Sequence, residues 1–118
     1  MWLYTAHELA HQFFGNLVTY DWWDKIWLNE GFATFFEYHL VELTYPQARI
    51  RDHFNVRKTQ NAFRRDSLHS TAPMTYEGSK PTEINYDKGG AVIRMFQYSV
   101  GDQLFRSALN LYLNDKYA

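Results

Sequence analysis

Near the start of the chain stands His7-Glu8-Leu9-Ala10-His11, and no other stretch restricts what this sequence can become as strongly. On an α-helix, residues four apart project from one face, about 6 Å apart along the axis. Two imidazoles so placed grip one Zn²⁺, and Glu8, next after the first ligand, falls beside a metal-bound water. The plainer alternative is an amphipathic helix with two surface or core histidines, because so short a pattern also arises by chance. The choice turns on whether the chain supplies a third ligand, a partner for the transition state and a pocket.

The remaining composition sets bounds. At 118 residues the chain is one domain's worth, and its 19% of aromatic residues is enough to build a core. Twelve basic and 13 acidic residues leave a net charge of −1, so no overall field favours nucleic acid. The basic residues between Arg49 and Arg65 are interrupted by acids and amides and read as a solvated helix face. Without cysteine, thiolate ligands and disulfides are excluded. No apolar run approaches the ~20 residues that span a bilayer, and the first residues lack a signal peptide's pattern, so the chain reads as soluble. It begins abruptly before the first ligand, which suggests a truncated piece of something larger.

Taken in order, Tyr4 to Leu17 reads as a helix with Leu3, Ala6, Ala10, Phe13, Phe14 and Leu17 on its apolar side, stopped by Gly15-Asn16. A connection rich in tryptophan (Trp22, Trp23, Trp27) braces the core or walls a pocket. A second helix begins at Asn29-Glu30 and runs to Pro46, and a third runs from Gln47 to Arg65 with Ile50, Phe54 and Ala62 on one face. Ser67 to Thr82 reads as loop. Gly89-Gly90 opens a further helix, Gly101-Asp102 interrupts it, and Asp102 caps a last helix through Leu113 whose apolar face (Leu104, Phe105, Ala108, Leu109, Leu111, Leu113) needs a partner. No strand is expected, and the fold class is mainly α.

Glu30 follows His11 by nineteen positions, after a connection long enough to reverse direction. Antiparallel packing of the first two helices brings its carboxylate over the histidine pair, and His₂Glu is a standard ligand set for catalytic zinc. Thr34 and Glu37, one and two turns further on, are candidates to orient the imidazoles. His39, His53 and His69 have no partner at ligand spacing and read as structural or exposed, while Phe32, Phe35, Phe36 and Tyr38 read as core.

With His7-Glu8-x-x-His11, eighteen intervening residues, and Glu30 within Trp27-Leu28-Asn29-Glu30-Gly31-Phe32-Ala33, the chain resembles the M1 family of zinc aminopeptidases. The flanks agree: His11-Gln12-x-Phe14-Gly15-Asn16-Leu17-Val18-Thr19, Trp22-Trp23, Thr34-Phe35-Phe36-Glu37-Tyr38, and Tyr86-Asp87-Lys88-Gly89-Gly90. Their wording is similar to the animal membrane aminopeptidases of the aminopeptidase N type. The resemblance implies the helical part of a thermolysin-like (gluzincin) catalytic domain, with the family's N-terminal β domain and C-terminal helical domain lying outside residues 1–118. It implies one Zn²⁺ per chain held by His7, His11 and Glu30, Glu8 as general base, and Tyr86 as the hydroxyl that stabilises the tetrahedral intermediate. It implies a peptide substrate shortened from its amino terminus, completion by the remainder of the parent peptidase, and a parent that is membrane-anchored or dimeric, on the extracellular side of the plasma membrane.

Three departures from the family pattern stand out. The Gly-Ala-Met-Glu-Asn type motif that binds the substrate amine does not occur here, Glu83-Ile84-Asn85 leads to Tyr86 by a shortened approach, and Phe13 replaces a more usual Trp. The rival readings are an inactive truncated fragment that still binds zinc, a thermolysin-like endopeptidase, and an epoxide-opening relative.

Overall fold

The structure is a computed structural model and describes residues 2–75 and 81–114. Among these the architecture is helical: α1 (Trp2–Ala10), α2 (Ile26–Thr44), α3 (Ile50–Phe54), α4 (Gln60–Asp66), α5 (Glu83–Val100) and α6 (Asp102–Asn114). The only ladder contact among the described residues is an isolated bridge between Phe14 and Val18.

Helix α2 is the centre of the fold, packed most extensively against α5 and α1. Its buried residues Gly31, Thr34, Phe35 and Tyr38 recur at the spacing of one helix face. It begins at Ile26, earlier than the expected Asn29, because the tight 3₁₀ turn Trp23–Lys25 leads directly into it. Lys25 pairs with Asp21 at 2.7 Å across that turn. The helix stops at Thr44, ahead of Pro46 as expected.

Helix α1 is shorter than its apolar pattern suggests and ends at Ala10. His11 still donates its backbone N–H to His7 (3.2 Å), but Gln12 and Phe13 bond three residues back, to Leu9 and Ala10. Gly15, at φ +140°, then closes the turn through Val18. Phe14 and Val18 are buried while Phe13 and Leu17 are 48% and 46% exposed, so the residues covered are not the straight-helix stripe. Phe14 stacks between Phe32 and Phe36 of α2, at 4.3 and 5.3 Å between ring centroids. That burial prevails over continuation of the helix.

The expected third helix is divided. A turn at Pro46–Ala48 and a left-handed Arg49 (φ 48°) precede α3, and a π-helical turn, Asn55–Thr59, joins α3 to α4. Eight residues at 3.6 per turn leave about 80° between Phe54 and Ala62. The wider turn offsets that drift, and both residues are buried.

Helix α5 starts at Glu83, not at Gly89-Gly90, with a capping box in which Thr82 and Asn85 satisfy each other's backbone N–H groups. The two glycines lie inside it, where it crosses α2. Gly101, at φ +83°, separates α5 from α6 as expected. Only half of α6's apolar face is used: Phe105 meets Phe35 edge-on at 5.5 Å and Tyr112 stacks near Phe32, while Leu104 and Leu111 remain exposed. Among the described residues no helix is long and apolar enough to cross a membrane.

Candidate metal centre

His7 in the last turn of α1 and His11, the residue just past its end, project on one side and face Glu30 in the second turn of α2. Their ligand atoms lie within 4.8 Å of one another. The two Nε2 atoms are 3.2 Å apart, and Glu30 Oε2 is 3.5 Å from that of His7 and 3.4 Å from that of His11.

The outer partners of the rings define what those atoms are. His7 Nδ1 donates to Glu37 Oε2 at 2.9 Å, and His11 Nδ1 donates to the Phe14 carbonyl at 3.1 Å. Carboxylate and carbonyl only accept, so each ring carries its proton on Nδ1 and turns an Nε2 lone pair inward. Two lone pairs and a carboxylate oxygen therefore face one another. Glu30 Oε2 is buried and, while both Nε2 atoms carry lone pairs, receives no hydrogen bond from either ring. Such a constellation of acceptors requires a positive charge at its centre.

The protonation equilibria express the same requirement. Burial lowers the pKa of His7, but Glu30 and Glu37 outweigh it and hold the imidazole up at about 9. His11 is raised, first by its bond to Glu30 and against its own burial. Burial raises the pKa of Glu30, yet the hydrogen bonds and charges of His11 and His7 bring it down to about 2. In the absence of a metal the centre recruits a proton as its cation.

The structure brings Tyr86 to the same place: its ring lies against that of His7, 6.0 Å between centroids and 28° between planes. The α5 capping box sets the helix start that puts it there. Its phenol is pushed up to about 12, by burial first and then by Glu30, with a smaller push from Glu8. Glu8 itself is exposed, close enough for its charge to reach Tyr86.

The two candidates for orienting the imidazoles part ways. Glu37 holds His7. Thr34 is fully buried elsewhere, beneath Gly90, with its hydroxyl unpartnered among the described residues. The Phe14 carbonyl, which holds His11, escaped the sequence reading because a backbone acceptor leaves no mark in side-chain identity. Trp22 and Trp23 are 60% and 62% exposed. Of the other histidines, His39 is half-buried against Phe35, and His53 and His69 are exposed.

Comparison with known proteins agrees with this geometry. The peptidase family M1 domain profile matches residues 3–118. The chain is 45% identical over 120 residues to aminopeptidase M1-D of Oryza sativa subsp. japonica, covering 96% of this chain and 14% of that protein. It is 41% identical over 115 residues to the leucyl aminopeptidase of Saccharolobus solfataricus (92% and 15%) and 40% identical over 115 residues to endoplasmic reticulum aminopeptidase 1 of Homo sapiens (92% and 12%). It thus spans only 12–15% of the length of these curated relatives. A profile match over nearly all of the chain, on a fold that gathers its two motifs around one cluster, means that the chain belongs to peptidase family M1.

Proposed function

We propose that these residues form the catalytic metal centre of a zinc aminopeptidase: His7, His11 and Glu30 hold one Zn²⁺, Glu8 is the general base, and Tyr86 donates to the oxyanion. The observation that carries the reading is the spacing of the three inward-facing acceptors. Two ligand atoms each 2.0–2.1 Å from one tetrahedral ion stand about 3.3–3.4 Å apart. The separations here are 3.2, 3.4 and 3.5 Å.

When bound, the ion supplies Lewis acidity and lowers the pKa of a water towards ~7. The chain's own residues do the rest. Glu8 takes the proton of the attacking water and passes it to the leaving amine. The Tyr86 phenol, with its pKa at about 12, stays protonated at neutral pH and donates to the developing oxyanion. A donor so placed contributes ~3 kcal/mol to the transition state. Glu37 fixes the tautomer and plane of His7, and the Phe14 carbonyl does so for His11.

The restriction to amino-terminal residues follows from similarity to proteins named aminopeptidases, and the amine-binding group is assigned to a longer protein of which these 118 residues are the helical part. Anchorage of that protein at the plasma membrane belongs to the same reading, on the wording of the motif flanks. The exposed rings at both ends of α2, Trp2 (67%) beside Tyr45 at one end and Trp22 and Trp23 at the other, favour a second reading, in which the chain binds zinc but turns over substrate only within that longer protein.

Zinc content after dialysis, combined with hydrolysis of aminoacyl anilides, tests both. One zinc per chain, with turnover that falls at least ~100-fold in Glu8→Gln while zinc is retained, is the expected result. Zinc without turnover marks the second reading. Absence of stoichiometric zinc, or turnover indifferent to Glu8→Gln, overturns the assignment. Hydrolysis of amino-blocked peptides would point instead to an endopeptidase.

A further inference from the structure

Tyr86 ends the first turn of α5, and three charged residues around it pair with one neighbouring segment, residues 58–66. Glu83 pairs with Arg65, Lys88 pairs with Asp66 at 2.6 Å, and Asp87 accepts from Lys58 at 3.1 Å and from the Asn61 amide. The first pair is exposed at both ends and the second is partly exposed (34% and 43%), settings in which ion pairs count for little. The third differs: the Asp87 side chain is 8% exposed and that of Lys58 23%. A carboxylate so covered is costly to part from its donors, so its position is tightly determined. Lys58 comes from the π-helical turn, a kind of irregularity that recurs at functional sites.

We infer that Asp87 is a positioning residue: anchored by Lys58 and Asn61, it fixes the rotation of the first turn of α5 and thereby holds the Tyr86 ring against His7. Its consequence for catalysis rests on the function proposed above, whereas its geometry does not. The more exposed pairs at residues 83 and 88 steady the same turn from either side but hold its rotation less firmly. Of these three contacts the buried carboxylate tolerates the least adjustment.

The experiment follows the ring protons of His7 by NMR in the metal-free chain with labelled histidine, since a neighbouring aromatic ring shifts them. Tyr86→Leu defines the signal without the ring. Asp87→Asn and Lys58→Met are each expected to move the His7 signal most of the way to that value, with helicity retained, while Lys58→Arg stays near the parent chain. Should Asp87→Asn fail to fold, Lys58→Met at the more exposed partner decides. A His7 signal unchanged in folded Lys58→Met overturns the inference.

Kinetics supply a second readout wherever turnover is measurable. Asp87→Asn is expected to lower kcat about tenfold or more with KM and zinc stoichiometry unchanged. In a Tyr86→Phe background it should cost nothing further, because the residue acts through the tyrosine. Losses that multiply in the double variant overturn the positioning role. Full turnover in Tyr86→Phe would remove Tyr86 from the proposed mechanism, a separate failure that leaves the His7 signal to decide the geometry.

Discussion

A side-chain carbon on Gly31 would stand 2.9 Å from the backbone carbonyl carbon of Gly89, a separation that real Cβ atoms do not reach. Helices α2 and α5 therefore touch backbone to backbone, and this contact sits one residue from the proposed ligand Glu30 and three from Tyr86. Gly89→Ala is expected to force the helices apart, costing about 1–3 kcal/mol by overpacking. For a domain of roughly 100 residues each kilocalorie corresponds to about 4–8 °C in Tm. Thermal melting of the variant checks this. An unchanged Tm would mean that the crossing is looser than the structure shows.

Glu37 lies two helical turns beyond Glu30 and reaches back to His7 Nδ1 at 2.9 Å. Removing that acceptor frees the imidazole to rotate and to change tautomer, so its inward lone pair is no longer pre-set. Glu37→Leu, which leaves no acceptor, is expected to weaken zinc binding about 10- to 100-fold while the stoichiometry at saturation stays at one. Competition with a chromogenic chelator measures the change. Thr34→Val, by contrast, should leave zinc affinity unaltered, because its hydroxyl meets neither ring. Equal losses in both variants would contradict the division of roles.

These residues also mark what a single sequence can disclose. His7, His11 and Glu30 were legible because the constraint joining the histidines is local, four residues on a helix, and Glu30 sits in a helix that must fold back. Glu37 was legible by the same periodicity. Gly89-Gly90 misled, since glycine normally marks a helix end, and only the close approach of α2 explains its place inside one. The π-helical turn at Asn55–Thr59 has no compositional signature. The Lys58–Asp87 pair joins positions 29 residues apart, through a contact that exists only once α4 has packed on α5. Long-range pairing is the part that local pattern does not encode.

His39 gives the fold a dependence on pH that is separate from the metal centre. It stacks on Phe35 at 5.4 Å and borders the groove where α6 docks. Burial lowers its pKa first; Glu42 and Asp102 oppose this, while Arg106 and Arg51 add to it, and the net shift is downward. The native state therefore prefers the neutral ring. The contribution is fully present above the unfolded value of ~6.5 and is lost as pH falls through the lower native value. In melts of the metal-free chain at pH 7.5, 6.5 and 5.5, His39→Leu should lose less stability than the parent. Parallel losses across the series would exclude His39 as a contributor.

Zinc itself should stabilise the chain, because the proposed ligands converge only in the folded state. Metal at 100 times its dissociation constant adds ~2.7 kcal/mol. For a domain near this size that raises Tm by roughly 10 °C or more. Chelator should reverse the shift. Glu30→Gln should abolish most of it, since the variant loses both the anionic ligand and the charge that draws the cation, while its metal-free Tm reports any separate effect on folding. The relevant measurement is the difference between metal-loaded and metal-free melts for each protein. Were the parent and Glu30→Gln to gain equally from zinc, the ion would be binding somewhere other than between His7, His11 and Glu30.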